Sequence, residues 1–185
     1  VRFAGGKREV ELRGEAYFEV EADRKSPFYV HTDAGMSVYV YGTSFNVNAY
    51  DDEPAIRTVL EKGRVNVVAP DRTTVRIEPG EQVVFDRRTG ALTCSQVRVE
   101  DECAWRDGRL VFRNTPLDEV LHRLARHYNV DIEFRNHSDK VFRYRATFRD
   151  ETLTQIFDYL SASADIRWRV VAPERRDGDS YTRRR

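Results

Sequence analysis

The stretch VYGTSFNVNAY, residues 40–50, decides how the first half of the chain is expected to fold. Side chains on both sides of Gly42-Thr43-Ser44 alternate with a period of two, which is typical of β-strands. Apolar residues after this step would share one face of the second strand, and its asparagines the other. The pattern predicts two strands, or one sharply bent strand, joined by a structural corner. Gly42 would permit the bend, and Thr43 and Ser44 would hydrogen-bond locally there.

The same Gly42-Thr43-Ser44 step could hold a phosphate or supply a nucleophile, but its surroundings favour neither function. A phosphate loop needs further glycines, a lysine and a helix whose N-terminus faces the anion, and none of these follows Ser44. A serine nucleophile of the GxSxG type lies at a strand-to-helix elbow, which this sequence context does not predict. We therefore interpret the step as a corner.

Short alternating segments separated by turn residues recur about every ten residues through the first half of the chain. The predicted strands are Glu9–Leu12, Ala16–Val20, Phe28–His31, Ser37–Tyr41, Phe45–Ala49, Arg57–Leu60, Arg64–Val68, Thr74–Ile77 and Gln82–Phe85. Turn residues such as Lys62-Gly63 and Pro79-Gly80 separate them. Because no helical period is present, we expect an all-β sandwich, barrel or solenoid-like domain.

A repeat begins near residue 105, with an offset of 36 residues, as between Phe112 and Phe148 (148 − 112 = 36). Each copy has apolar residues at i, i+3, i+4 and i+7, the spacing of one helix face. These are Leu117, Val120, Leu121 and Leu124 in the first copy, and Leu153, Ile156, Phe157 and Leu160 in the second. Alternating segments flank the helices: Leu110–Phe112, Val130–Phe134, Phe142–Phe148 and Ile166–Val171. The repeated unit is therefore predicted to be βαβ.

The starts of these two helices are marked by residues that favour helix N-termini. Asn114 and Asp150 occupy matching positions of the repeat, and both are good N-cap types. Thr115-Pro116 offers a competing start for the first helix, with proline at the first helical position.

We predict a mainly β chain with two domains. Residues 1–98 would form the all-β domain, residues 99–104 a linker, and residues 105–172 a C-terminal α+β module of order βαββαβ. Residues 173–185 would form a polar, disordered tail. The tail is rich in arginine, which suits a membrane or a nucleic acid, although a solvated end is the commoner use of such a segment.

The composition argues against several classes of protein. The 185 residues include 31 Lys and Arg and 31 Asp and Glu, so the formal net charge is zero. Because nucleic-acid-binding domains usually carry a basic excess, no nucleic acid is expected as a partner. No segment approaches the about 18 apolar residues of a membrane helix, and no signal peptide is visible. The chain begins at Val1, so we expect a fragment of a longer polypeptide.

The four histidines are not spaced as a metal site. His122 and His127 are five residues apart on one predicted helix and face different sides of it. His31 lies alone in a predicted strand, and His137 lies in a predicted loop. Since a metal site needs three or four converging ligands, we expect none here.

Carboxylates and cysteines do not indicate catalysis. The acidic run at residues 51–53 precedes a proline, so a turn accounts for it, and it lacks the spaced ligands of a calcium loop. Cys94 and Cys103 match no zinc or CxxC spacing, and they could pair or remain free. We therefore expect no enzyme, no catalytic residues and no cofactor.

Segments along the whole chain resemble the FecR family. In the first half they are REVELRGEAYFEV (8–20), PFYVHT (27–32), VYGTSFNVNAY (40–50), VLEKGRVNV (59–67) and PGEQVVFD (79–86). In the second half, AWRDGRLVFRNTPLDEVLHRLARHYNVDIEF (104–134) and FRYRATFRDETLTQIFDYL (142–160) resemble the module that follows the FecR domain in the branch associated with polysaccharide-uptake transporters. That module is similar to the short signalling domain of secretins and TonB-dependent receptors, which also has two βαβ-type units.

The FecR family comprises inner-membrane anti-sigma factors that act as transmembrane signal relays. The resemblance implies that this chain is the periplasmic region of a single-pass inner-membrane protein, tethered by a helix upstream of Val1. The N-terminal signalling domain of a TonB-dependent outer-membrane transporter would bind it. An extracytoplasmic-function sigma factor, held by the missing cytoplasmic segment, would then be released. The implied role is cell-surface signalling that regulates transcription for polysaccharide utilisation.

The resemblance favours docking of the partner on the C-terminal module, and the residues favour one strand within it. Arg143 and Arg145 alternate with Phe142 and Tyr144, so one face could pack while the other presents arginines, which are enriched at interfaces. The alternative is an ordinary amphipathic strand with a solvated basic face.

A second function, from a different class, stays open. The nine Tyr and two Trp could form the aromatic platforms of a periplasmic carbohydrate-binding β-domain that senses glycan directly. Calorimetry with glycans, compared with calorimetry using a transporter's signalling domain, would separate the two hypotheses.

Overall fold

A computed structural model describes residues 2–4, 7–135, 141–163 and 166–171, with side chains from residue 8 onward in these ranges. The predicted tail at residues 173–185 and His137 lie outside the described residues. The first half of the chain is built from strands, and the second half alternates strands with helices.

Among the described residues, eleven strands precede residue 98. They are β1 (Arg2–Ala4), β2 (Lys7–Leu12), β3 (Gly14–Val20), β4 (Phe28–Thr32), β5 (Ser37–Val40), β6 (Thr43–Ala49), β7 (Ala55–Lys62), β8 (Val65–Val68), β9 (Thr74–Ile77), β10 (Glu81–Asp86) and β11 (Leu92–Gln96). The nine predicted strands are confirmed as β2 to β10, with no end displaced by more than two residues. The sequence pattern does not predict β1, which has three residues, or β11, which is polar and mostly exposed.

These strands form two sheets. The six-stranded sheet has the order β1-β2-β4-β5-β8-β9, and the five-stranded sheet has the order β11-β10-β7-β6-β3. Neighbouring strands are antiparallel, except that β2 and β4 are parallel. Apolar residues from both sheets belong to one buried cluster, which includes Val38 and Val67 from the first sheet and Phe45, Leu60 and Phe85 from the second. The N-terminal part is therefore a sandwich, which is one of the three architectures predicted from the sequence.

Aromatic rings join the two sheets near the β3 edge of the five-stranded sheet. Phe18 of β3 stacks on Phe45 of β6 at 5.2 Å between ring centroids, and it tilts against Phe28 of β4 at 5.6 Å. Full burial of a side chain such as Phe45 contributes about 1.5–3 kcal/mol. The period-two pattern folds as strands here because each apolar face finds an opposing apolar sheet.

The second half continues with six elements. They are α1 (Val99–Glu102), a 3-10 turn (Ala104–Asp107), β12 (Leu110–Pro116), α2 (Leu117–Tyr128), β13 (Arg143–Phe148) and α3 (Leu153–Ser163). β12 and β13 form a two-stranded sheet, in which the rings of Phe112 and Phe148 lie 6.0 Å apart. The predicted mainly β chain with a C-terminal α+β module is confirmed.

Helix α2 shows why the repeat folds as a helix. Its buried residues are the four predicted from the spacing: Leu117, Val120, Leu121 and Leu124. Acidic residues occupy its first turn and basic residues its last turn, which complements the helix dipole. Asn129 adopts the left-handed conformation that commonly ends a helix.

The two helices begin later than the predicted N-caps. Asn114 lies inside β12 with a φ of 57°, and α2 starts at Leu117, directly after the competing Pro116. The start of α3 is capped by Thr152 rather than Asp150. The Gln155 N–H donates to Thr152 Oγ1 at 3.3 Å, and the Thr152 N–H donates to Gln155 Oε1 at 2.8 Å. This reciprocal capping box satisfies two backbone donors, so the prediction for Asp150 is wrong.

The structure also corrects the prediction of a strand after each helix. Both Val130–Phe134 and the described segment Ile166–Val171 contain no strand. Val130 and Phe134 are exposed, and Val170 is 83% exposed. An alternating segment becomes a strand when a neighbour accepts its backbone hydrogen bonds and another layer covers its apolar face. The order within the described residues is therefore βαβα.

The chain divides into two compact units. One contains Val1–Asn114 together with Arg145–Arg149, and the other contains Thr115–Tyr144 together with Asp150–Arg185. The domain boundaries predicted from the sequence stay predictions. Among the described residues, no helix combines the length and the apolar character needed to cross a membrane.

Candidate functional site

Gly42 lies where the chain leaves β5 of the six-stranded sheet and enters β6 of the five-stranded sheet. Its φ is 154°, and a Cβ there would lie 2.5 Å from Ala22 Cα. The neighbouring Tyr41 carbonyl accepts a hydrogen bond of 2.7 Å from the Asp23 N–H, which holds the two segments together. Because any side chain would collide with this backbone, the close approach requires glycine.

A second crossing between the sheets lies beside the first. Gly63 separates β7 from β8 with a φ of 97°, and a Cβ there would lie 2.7 Å from the Gly42 carbonyl oxygen. Thr43 Oγ1 donates to the carbonyl oxygen of Arg64 at 3.0 Å. Thr43 is buried and Ser44 is half-buried. Gly42 and Thr43 thus pack closely against the backbone of the second crossing.

The four residues predicted to contact a partner lie at the start of β13. Arg143 and Arg145 are exposed, whereas Phe142 and Tyr144 are half-buried. The Phe142 carbonyl accepts a hydrogen bond of 2.9 Å from the Leu117 N–H. Within the described residues β13 pairs with β12 and no other strand, so its second edge has no strand partner. An edge of this kind presents backbone donors and acceptors to an added strand.

A polar cluster on the five-stranded sheet was not found from the sequence. The Arg106 guanidinium carbon lies 3.5 Å from the ring centroid of Tyr17, and the Tyr17 hydroxyl donates a hydrogen bond to Glu61. Arg106 nitrogens lie 3.6 Å from Glu19 and 3.8 Å from Glu61. We call these four residues the Arg106 cluster. Because its members come from β3, β7 and the 3-10 turn, no local spacing in the sequence brings them together.

Burial and charge alter two titratable groups at this cluster. Burial raises the pKa of Tyr17 to about 12, and the hydrogen bond to Glu61 and its charge act in the same direction. Burial also raises the pKa of the Cys103 thiol to about 11, and the charge of Glu61 adds to it. Tyr17 therefore stays a hydrogen-bond donor at neutral pH, and Cys103 stays a protonated thiol of low reactivity.

Asp101 connects α1 to β12. Arg113 donates from Nε and Nη2 to the two oxygens of Asp101, at 3.0 and 3.1 Å, and Arg98 Nε lies 3.5 Å away. The hydrogen bonds from Arg113 hold the pKa of Asp101 below its usual range. Helix α1 also contacts β7, and Cys103 and Ala104 are buried. Residues 99–104 contain α1 and lie within the first compact unit.

Aromatic residues form a row on the six-stranded sheet, which we call the tyrosine row. The Tyr39 ring lies 5.9 Å from Tyr29 and 6.3 Å from Tyr41, and Tyr29 stacks on His31 at 6.0 Å. His31 Nδ1 also lies 3.0 Å from Ser37 Oγ. Tyr41 is 45% exposed, whereas the other three rings are half-buried because they cover one another.

No three His, Cys, Asp or Glu side chains converge on a possible metal position in the part of the chain that the structure describes. In the acidic turn at residues 51–53, Glu53 pairs with Arg57 at 2.6 Å. Both cysteines are free thiols, Cys94 exposed and Cys103 buried.

Comparisons with known proteins match both halves of the chain. Residues 1–66 match the family model described as FecR protein, and residues 109–175 match the model described as FecR, C-terminal. The chain is similar to a candidate anti-sigma factor from Parabacteroides distasonis ATCC 8503, at 30% identity and a TM-score of 0.82, covering 92% of this chain and 80% of that one. A second crystal structure with the same description gives 30% identity, a TM-score of 0.81 and coverage of 92% and 79%. No curated protein matches the chain at a significant level.

Proposed function

The chain belongs to the FecR family of membrane-spanning anti-sigma factors, which are regulatory proteins, and we propose that it is the periplasmic sensor and relay region of such a factor. Its partner is the N-terminal signalling domain of a TonB-dependent outer-membrane transporter, and it acts without catalysis. Binding changes how the anti-sigma factor is held or processed and releases an extracytoplasmic-function sigma factor. The sigma factor contacts a cytoplasmic segment upstream of Val1, and the nutrient signal is a polysaccharide.

The observation that supports this proposal best is the second edge of β13. Arg143 and Arg145 are exposed on this strand. Among the described residues, β12 pairs with one edge of β13, and no strand pairs with the other edge. A partner strand added at the second edge would make main-chain hydrogen bonds, while the two arginines would select an acidic neighbour. We therefore propose β-augmentation at β13 as the mode of docking.

Calorimetry with the N-terminal signalling domain of a TonB-dependent transporter from the same organism tests the proposal. The double charge reversal Arg143→Glu with Arg145→Glu is expected to weaken binding about tenfold or more, because it places like charges opposite an acidic partner. Unchanged affinity in this variant would rule out docking at β13. Absence of any heat with the unmodified chain would overturn the choice of partner.

A matched control keeps the same change of charge away from β13. Arg24 and Lys25 are exposed in the turn between β3 and β4. The double variant Arg24→Glu with Lys25→Glu is expected to bind within about twofold of the unmodified chain once salt screens long-range effects. Equal losses in both double variants would mean that net charge, and not the β13 edge, controls binding.

The tyrosine row supports a second candidate, direct binding of glycan. Sugars stack on aromatic faces, and Tyr41 offers an exposed ring at one end of the row. However, the rings of Tyr29 and His31 lie parallel and offset, with centroids 6.0 Å apart, and these side chains and Tyr39 are half-buried. The row therefore offers less ring surface than a flat platform would, and we rank this function second.

The two candidates are separated by the same calorimetry. Glycan binding predicts heat with polysaccharide fragments, and Tyr41→Ala is expected to reduce that affinity about tenfold through loss of a stacking contact. Heat with glycan and none with the signalling domain would favour the second function over the first.

A further inference from the structure

We propose that residues 99–107, comprising α1 and the 3-10 turn, form a latch that closes on the five-stranded sheet and opens while the sandwich stays folded. Opening would free the segment that leads along the chain to β12. The inference goes beyond the proposed function, because it gives the relay a movable part whatever partner binds it. The latch lies within the first unit, as do all the residues that hold it.

Most contacts that hold the latch are polar and partly exposed. Arg106 covers the Tyr17 ring and pairs with Glu19 and Glu61, and its own side chain is 37% exposed. Asp101 and Arg113 supply a second polar contact, between α1 and β12. The two ion pairs of Arg106 are exposed, so they add little stability because water and salt screen them.

The latch has few apolar anchors. Cys103 and Ala104 are its two buried residues, and each of its two helical segments has four residues. Helices this short are unstable by themselves. The sandwich, in contrast, has one continuous core built from both sheets. Since local opening is easiest where buried apolar contact is scarce, the latch should open before the sandwich unfolds.

The surface under the latch has features of a covered site. Thr58 and Leu60 of β7 face the core of the sandwich. Because side chains of a strand alternate between its two faces, Val59 points to the outer face of the sheet. Val59 is nevertheless only 1% exposed. Asn46 pairs with both Val59 and Tyr17 in the register of the sheet and is 2% exposed. Its Oδ1 has no hydrogen-bond partner among the described residues. Hydration of that oxygen would favour opening.

Cys103 reports on the latch directly. Its thiol is buried while the latch is closed, and Cys94, which is exposed, can be removed as Cys94→Ser to leave a single thiol. In native buffer we expect slow reaction of Cys103 with the aromatic disulfide DTNB. Arg106→Ala should increase that rate about tenfold, while the midpoint of thermal unfolding changes little.

Two further variants make the test specific. Tyr17→Phe removes the hydrogen bond to Glu61 but keeps the ring, so it should accelerate labelling by a smaller factor, about threefold. Arg76→Ala is the matched control, because Arg76 lies on β9 of the six-stranded sheet and pairs with Glu78, away from the latch. It should change the rate by less than about twofold.

The urea dependence of labelling decides between local opening and global unfolding. Opening of the latch exposes little surface, so its rate should rise with urea much less steeply than the fraction of globally unfolded protein. If Cys103 labelling follows global unfolding in the Cys94→Ser protein, the latch does not open separately and the proposal fails. The same conclusion follows if Arg106→Ala leaves the labelling rate unchanged.

Discussion

The sandwich and the second half of the chain respond differently to the same kind of sequence pattern. Every alternating segment predicted in the first half forms a strand, from β2 to β10. In the second half, Val130–Phe134 and Ile166–Val171 alternate equally clearly and form no strand within the described residues. Alternation therefore predicts a strand reliably only where partner strands and an opposing apolar layer are also present.

The two regions also bury their apolar residues differently. In the sandwich, strands from both sheets contribute to one cluster, and its seven buried valines all lie within strands, as Val38 and Val67 do. In the second half, buried residues lie in β12 and β13 and on one face of each long helix, as Ile156 and Leu160 do in α3. We expect substitutions at the sheet crossings to have larger effects than those at the ends of the helices.

The largest effect is expected at the first crossing between the sheets. Gly42→Val should lower the free energy of unfolding by about 3–5 kcal/mol, because it combines a collision with the Ala22 backbone and an unfavourable φ. Urea denaturation measures this loss. Unchanged stability together with lost partner binding would contradict the interpretation of Gly42 as a corner residue.

Gly90 provides the matched control for that collision. Its φ is 74°, and a Cβ there would meet no atom within 4 Å. Gly90→Val should therefore cost about 1–2 kcal/mol, from backbone strain alone. Equal losses at the two glycines would mean that the crossing is no more tightly packed than an ordinary turn.

A smaller effect is expected in the core of α3. Ile156 is fully buried, so Ile156→Ala should lower stability by about 2–4 kcal/mol through lost burial and a residual cavity. Helical circular dichroism during thermal unfolding reports it. Tyr159→Ala, at an exposed position of the same helix, should change stability by less than about 0.5 kcal/mol. Similar effects of the two variants would show that the helix lacks a packed face.

The capping box of α3 should contribute less than the core. Thr152→Ala removes the hydroxyl that accepts from the Gln155 N–H and should cost about 1 kcal/mol, measured by urea denaturation. Thr154→Ala, inside the helix and exposed, should be neutral or slightly stabilising, because alanine is the better helix former. Destabilisation by Thr154→Ala alone would place the helix start elsewhere.

The smallest effect is a dependence of stability on pH at Asp101. Because its pKa is lowered in the folded state, the carboxylate stabilises the fold above its unfolded pKa of about 4 and loses this effect as the pH falls through the folded pKa. Asp101→Asn should cost about 1 kcal/mol or less at pH 7, and this difference should shrink as the pH falls below about 4 and through the folded pKa.

Glu100 provides the control for that pH dependence. Its carboxylate is exposed and lies 4.0 Å from Arg98. Glu100→Gln should leave the stability and its pH profile close to those of the unmodified chain. A loss at Asp101→Asn that persists unchanged at pH 3 would show that its hydrogen bonds do not depend on the charge.

Much of the architecture could be predicted because its signals are local. Turn residues and alternation locate the strands, and apolar spacing identifies the buried face of α2 residue by residue. The start of α3 could also have been read from Thr152 and Gln155, whose spacing is that of a capping box. The order of strands within the sheets could not be predicted, because it depends on pairings between distant segments such as β5 with β8.

The candidate sites also differ in whether a local sequence signal predicts them. Phe142, Arg143, Tyr144 and Arg145 alternate in the sequence, and the exposures in the structure follow that alternation. The Arg106 cluster has no comparable local signal, because Tyr17, Glu61 and Arg106 are far apart in the chain. Their proximity depends on the register of the five-stranded sheet and on the placement of the 3-10 turn, which is a tertiary property.

The sequence by itself determined the class of the chain, the positions of β2 to β10, the buried face of α2 and the resemblance to the FecR family, because periodicity, turn residues and motif order are properties of short segments. The tertiary structure alone decided which alternating segments became strands, why residue 42 is glycine and where Arg106 binds. These depend on backbone approach, as between Gly42 and Ala22, and on contacts between residues distant in sequence. Such contacts form only when the sheets are assembled, so no local pattern encodes them.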